Sequence, residues 1–214
     1  MRIPKHIALI PDGNRRWAKE LGLEKHKGYK HGLTPGVEAL LLAQHYNVEE
    51  LTYYGFTTDN CKRPPLQVKA FIDACVEAIE LIKQHNVSLL VVGNTNSSLF
   101  PKMLLPYTKE RVSFGTGLTK VNFLVNYGWE WDLSHMETSS SNRFSITDCL
   151  YSKAVSRIDL IIRWGGRRRL SGLLPIQSVY ADIYVLDELW PDFTEEQFER
   201  ALNWYSTQDV TLGG

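Results

Sequence analysis

The stretch HIALIPDGNRRWAKE, residues 6–20, decides how this chain is read. Its first five residues, HIALI (6–10), make a short apolar run that suits a strand buried on both faces. The run ends abruptly in an acid, a glycine, an asparagine, two arginines and a tryptophan. Gly13 permits a tight turn, and the amides of Asn14, Arg15 and Arg16 would then open a helix running through Trp17 and Ala18. A helix N-terminus offers free N–H groups and a positive dipole end, the combination that binds phosphate. Arg15 and Arg16 add guanidinium donors suited to paired phosphate oxygens. Asp12 repels an anion, so its presence fits a site where Mg²⁺ bridges carboxylate and diphosphate. It fits equally well as a plain N-cap beside solvated arginines. These fifteen residues leave both readings open.

Further along, the same β-then-α rhythm recurs. ELTYYGF (50–56), SLLVVG (88–93), VNFLVN (121–126), DLIIRW (159–164) and DIYVLD (182–187) read as strands, most of them apolar throughout rather than alternating. Between them PGVEALLLAQHY (35–46), PPLQVKAFIDACVEAIELIKQHN (64–86) and DFTEEQFERALNWYS (192–206) carry helical periodicity. The last begins with Thr194 ahead of Glu195-Glu196-Gln197, a capping-box pattern. The expected fold is α/β: a single domain, residues 1–214, with a mainly parallel six-stranded sheet flanked by helices. The serine-rich METSSSNRFS (136–145) reads as a mobile surface loop, and no internal repeat is present.

In open α/β sheets ligands bind beyond the carboxyl ends of the strands. Three charged loops follow strands here: DGNRRW, TTDNCKRP (57–64) and GGRRRLSG (165–172). Taken singly, the second is a capped turn and the third a basic rim or an RNA-binding arginine-glycine segment. The chain has 24 Lys plus Arg against 24 Asp plus Glu, which argues against a protein that coats nucleic acid or adheres strongly to a membrane. Three cysteines without CxxC spacing and six histidines without a paired-ligand motif point away from disulfides and structural zinc. No run of about 18 apolar residues and no leader-like segment occurs, so a cytoplasmic location is expected, with at most peripheral membrane contact.

Together the three loops resemble the cis-prenyltransferases, the (Z)-isoprenyl diphosphate synthases typified by undecaprenyl diphosphate synthase. The resemblance runs nearly end to end, through LTYYGFTTDNCKRP, VNYG and IDLIIRWGGRRRLSG to YADIYVLDELWPDF. It implies a homodimeric sandwich with a hydrophobic tunnel that transfers an allylic prenyl group, with Mg²⁺, onto a second isoprenoid diphosphate such as isopentenyl or dimethylallyl diphosphate. Carried over by residue, Asp12 resembles the essential metal-placing aspartate, and Asp182 stands where a metal-binding glutamate is usual. Gly13, Asn14, Arg15, Arg16 and Lys25, with Arg63, fall on the donor-diphosphate side, and Trp17 and Tyr29 are further substrate-binding candidates. Asn60 matches an asparagine that assists proton removal. Arg163, Arg169 and Ser171 match the acceptor's diphosphate pocket. Leu40, Leu41, Phe71, Val76 and Ile79 are candidates for the tunnel wall, and equally for plain core.

Several departures fall on the acceptor side. Arg167 replaces an acid, Trp164 a hydroxyl residue, Tyr29 a histidine and Cys61 a tryptophan, while Trp129-Glu130 replaces Gly-Arg. The usual C-terminal Arg-x-Gly appears as Thr211-Leu212-Gly213. Pro175 and Ser178, within LLPIQS (173–178), resemble cyclolavandulyl diphosphate synthase, a branch that joins two allylic diphosphates head-to-middle. The pattern implies a non-standard member making a short or medium product, by head-to-middle or by ordinary cis head-to-tail coupling. A non-catalytic partner subunit is the alternative; such subunits typically lack the first-strand aspartate that this chain keeps.

Overall fold

A computed structural model describes residues 1–134 and 143–209. Its strands are β1 (His6–Ile10), β2 (Glu50–Thr57), β3 (Val87–Val92), β4 (Val112–Phe114), β5 (Thr119–Tyr127), β6 (Leu160–Arg163) and β7 (Asp182–Val185). The helices are α1 (Asn14–Glu20), α2 (Gly28–His31), α3 (Leu33–His45), α4 (Pro65–Ile82), α5 (Trp129–Leu133), α6 (Arg143–Asp148) and α7 (Glu195–Ser206). One sheet holds all seven strands in the order β4-β3-β5-β2-β1-β6-β7. All six expected strands run parallel. The seventh, β4, adds antiparallel to the edge strand β3 and corrects the expected count of six. Three half-exposed residues carry no continuous apolar run, which is why β4 left no signal in the sequence.

Alternation along the strands sorts the core into two layers. Ile7, Leu9, Tyr53 and Phe123 face one side and pack under α3, α4 and α7. Ala8, Ile10, Tyr54 and Leu124 face the other, covered by Val155, Ile158 and the 173–174 turn. Pro65 starts α4 at its first position, where a missing N–H costs nothing. Thr194 and Gln197 form the expected reciprocal cap of α7. The helix expected at 35–46 begins earlier, at Leu33, so Pro35 sits in its first turn. Most of the serine-rich 136–145 segment, and the 211–213 tripeptide, lie outside the described residues. Positions 143–145 open α6 and are thus helical rather than loop.

The amino ends of the parallel strands are tied by a buried polar network. Thr52 Oγ1 lies 2.7 Å from His6 Nε2, and His6 Nδ1 lies 3.1 Å from the Ser156 carbonyl. Asn122 donates to both Glu50 (2.7 Å) and Thr52 (2.9 Å), and Arg111 closes the group with an ion pair of 3.2 Å to Glu50. These contacts suit a neutral ring that donates from Nδ1 and accepts the threonine hydroxyl at Nε2. Burial lowers the His6 pKa below its ordinary 6.5, against the opposing charges of Glu50 and Asp159. The folded state therefore binds this proton less readily than the unfolded chain. Its stability contribution is complete above the ordinary pKa and is lost as pH falls below it. Calorimetric unfolding between about pH 7 and pH 5 should show a falling midpoint, with a shallower slope in His6→Asn.

Candidate active site

At the opposite, carboxyl end of the sheet, β1 lies between β2 and β6. The chain leaves β1 toward β2 and returns much later on the other side as β6, so the β1–β6 boundary is where strand order reverses. Crevices open at such points. Asp12 lies just beyond β1 and Arg163 ends β6, and the two meet across the boundary at 3.0 Å. Arg16, one helical turn on, stands 3.7 Å from the same carboxylate and donates to the Gly165 carbonyl at 2.8 Å. Gly13, not Asp12, is the N-cap of α1, in a left-handed conformation (φ 115°) that a side chain rarely adopts. The N-cap reading of Asp12 is thereby removed. Its side chain serves the guanidiniums instead.

Around this pair opens a cleft of about 560 Å³. Asp12, Gly13, Asn14, Arg15 and Arg16 line it from α1 and its turn; Lys25 and Tyr29 from the following helical turns; Asn60 and Arg63 from the loop after β2; Arg163, Arg169 and Ser171 from the loop after β6. Five wall positions with polar side chains were not among the expected site residues: Lys19, Tyr54, Thr57, Asp59 and Arg167. Lys19 follows Arg15 and Arg16 by four and three residues, the spacing that shares a helix face, and was legible on that ground. The sequence marks Arg167 only as a departure from the usual acid. Tyr54, buried mid-strand, had no such signal.

Two expected residues are not brought to the cleft. Trp17 turns away: its indole N–H donates to Asp192 at 2.7 Å and its ring lies 4.6 Å from His31. Asp182 opens β7, paired with Leu160, whereas Arg163 at the cleft pairs three residues on with Val185. At about 3.3 Å per residue it stands some 10 Å back from Arg163's row, toward the amino end of the sheet. Asp182 is thus not among the residues that line the cleft with Asp12. Trp164, whose place a hydroxyl residue usually takes, points into the core, donating to Gln197 at 2.9 Å and packing edge-on against Trp190. Pro175 and Ser178 are not among the cleft residues either.

A family model described as "Putative undecaprenyl diphosphate synthase" matches residues 10–213. The chain belongs to this prenyltransferase family. Its relatives include the (2E,6E)-farnesyl-diphosphate-specific ditrans,polycis-undecaprenyl-diphosphate synthases of Yersinia pseudotuberculosis and Escherichia coli K12. The first is 35% identical, covering 100% of this chain and 91% of the relative. The second is 33% identical, covering 98% and 90%. Among solved structures, lavandulyl diphosphate synthase from Lavandula x intermedia, in complex with dimethylallyl diphosphate, superposes with a TM-score of 0.86. It covers 99% of each chain at 21% identity, which establishes the shared fold.

In this prenyltransferase the protein itself holds the donors of the cleft in place. Arg163, only 3% exposed, donates from Nη1 to the Arg169 carbonyl and, at 2.9 Å, to Ser171 Oγ, while its Nε has no partner. Asn60 spends its carbonyl oxygen on the Thr57 N–H at 3.2 Å, completing a reciprocal cap. The capped-turn reading of that loop is therefore correct, and the same turn still presents Asn60 to the cleft. Arg63 donates to the Tyr29 hydroxyl at 2.8 Å and lies 5.4 Å over the Phe71 ring, which stacks on Tyr29 at 4.4 Å. Burial and, against the help of Tyr29, the nearby charge of Arg15 draw the Arg63 pKa below its ordinary value. Burial raises that of Tyr29. Tyr29→Phe leaves one Arg63 donor unpaired, and chemical denaturation should show a loss of about 1–3 kcal/mol.

Proposed function

We propose that this prenyltransferase is Mg²⁺-dependent and condenses an allylic prenyl diphosphate with a second isoprenoid diphosphate, giving a short or medium-chain product. The observation that carries this reading is the carboxylate of Asp12, set among Arg15, Arg16, Lys19, Lys25, Arg163 and Arg169 at the switch point of the sheet, while the other acid on the wall, Asp59, is paired with Lys62 at 2.7 Å. So many cations against two acids match a highly charged anion plus a hard metal ion. The donor set fits Mg²⁺, which takes one or two carboxylates together with substrate phosphates rather than an all-protein cage. Among the described residues no group of three or more His, Cys, Asp or Glu stands ready as such a cage. Asp12 would hold the ion. When bound, Mg²⁺ supplies charge neutralisation for a departing diphosphate.

The remaining roles belong to the chain. Arg15, Arg16, Lys25 and Arg63 hold the donor's diphosphate and stabilise the negative charge that grows as the allylic C–O bond breaks. Arg163, Arg169 and Ser171 hold the acceptor's diphosphate on the β6 side. Asn60, anchored through its carbonyl oxygen, keeps its amide free to orient the proton-relaying group. The Tyr29–Phe71 stack keeps water from the allylic cation. A homodimer and a cytoplasmic location complete the reading. No described helix is long and apolar enough to cross a membrane.

Head-to-tail and head-to-middle coupling differ in whether isopentenyl diphosphate is required. Arg167 on the acceptor side, where an acid is usual, supports a rebuilt acceptor site. Incubation with labelled dimethylallyl, geranyl or farnesyl diphosphate, with and without isopentenyl diphosphate, separates the two by chromatography of the products. Asp12→Ala should lower prenyl transfer by about 10²–10³-fold with the fold intact by circular dichroism. Unchanged turnover in that variant would remove the reading.

A further inference from the structure

Behind the Tyr29–Phe71 stack the cleft continues into a second space with a different character. Its wall is apolar, and its volume is about 60 Å³, a small fraction of the cleft itself. Pro11, Asn14, Tyr29, Gly55 and Phe71 border both spaces, so this annexe is the place where an apolar tail can follow a diphosphate bound outside. The room comes from α4, which presents Ala74, Cys75 and Ala78 here. Burial pushes the Cys75 thiol up to about 12, so it lines the wall as a small neutral group.

Beside Leu33 and Trp190, Tyr53 of β2 and Phe123 of β5 line the annexe from the sheet. Their rings stack with centroids 5.3 Å apart and 18° between planes. The Tyr53 hydroxyl donates to the Gly36 carbonyl of α3 at 2.7 Å, which leaves its ring one position. Phe123 fills the space that the missing side chain of Gly55 leaves in β2: a Cβ there would stand 2.8 Å from the Phe123 ring. Both rings are buried, at 3% and 5% exposure. Moving either would overpack a core that has no slack.

These dimensions limit what can be held. A cavity of about 150 Å³ takes a six-carbon ring, so 60 Å³ holds only the outer part of a five-carbon group whose first carbons stay in the cleft. We propose that the Tyr53–Phe123 pair is a length stop, which confines the donor to a dimethylallyl-type, five-carbon prenyl diphosphate. The inference rests on the reading of the cleft as an allylic diphosphate site. The length stop sets it apart from a channel that would grow a long chain.

Calorimetric binding, with Mg²⁺ present, of inorganic pyrophosphate and of the unreactive thiolo analogues of dimethylallyl, geranyl and farnesyl diphosphate tests it. Burying five further carbons would raise affinity by at least about a hundredfold. For the wild-type protein the expected result is instead that geranyl and farnesyl analogues bind no tighter than the dimethylallyl one. Phe123→Leu should give the geranyl analogue about a tenfold advantage over the dimethylallyl one. Ala78→Leu, which fills the annexe from α4, should bring the dimethylallyl analogue down to the affinity of pyrophosphate while pyrophosphate itself binds as before. A wild-type protein that prefers geranyl or farnesyl by tenfold or more overturns the length stop and leaves the diphosphate site standing. So does an unchanged ranking in both folded variants. Failure of pyrophosphate to bind at all overturns the diphosphate reading and the length stop with it.

Discussion

The contact between Asp12 and Arg163 is the constraint on which the rest of the site depends. It joins the carboxyl ends of β1 and β6 at the one place where the order of the sheet reverses. Arg163 is almost wholly buried, and three of its contacts are fixed by protein: Asp12, the Arg169 carbonyl and Ser171. A buried guanidinium without its carboxylate carries a large desolvation penalty, whereas the part-exposed Asp12 still has Arg16 3.7 Å away. Asp12 therefore enforces the position of Arg163, and the arginine-rich loop after β6 is held against the turn after β1. The electrostatic design follows from that pairing: a carboxylate that can accept a hard cation sits at the centre of a cationic wall.

The second constraint is how closely the strands beside that wall approach each other. The β2–β5 register shifts between Tyr54 and Thr57, next to Gly55. Bulges of this sort re-aim neighbouring side chains, and they concentrate beside functional sites. Tyr54 turns to the second core layer, where its hydroxyl donates to the Ser171 carbonyl at 2.6 Å and steadies the β6 loop. Tyr53 turns to the first layer and closes the apolar annexe. Two adjacent tyrosines thus bound the cleft on its polar and its apolar sides, because successive residues of a strand point to opposite faces.

Sequence alone determined the parts governed by local rules. Six runs, most of them apolar throughout, gave six strands, because a strand buried on both faces must be apolar; the last, β7, lies at the sheet edge and stays partly exposed. Pro65 and the Thr194–Gln197 pair marked helix starts, because orphan amides at a helix end demand those residue types. The charged loops fell on one rim because the carboxyl ends of parallel strands all point the same way. Of the expected tunnel residues only Phe71 borders the cleft; Leu40 and Ile79 are fully buried core and Leu41 is half exposed. Helical spacing says which residues share a face, but core and cavity wall share the same spacing.

Only the tertiary structure decided which of the charged residues meet. Trp17 lies one position after Arg16 and yet faces Asp192, because neighbours on a helix diverge by about 100°. Asp182 belongs to the right strand and the wrong end of it, a distinction set by register and invisible to composition. Whether Asp12 caps a helix or faces cations depended on Gly13 taking the cap and on Arg163 arriving from 151 residues away. The size of the annexe depended on two rings from strands β2 and β5 stacking across the sheet. Local pattern fixes what each segment is; long-range packing fixes what it touches, and the chemistry of this protein lies in those contacts.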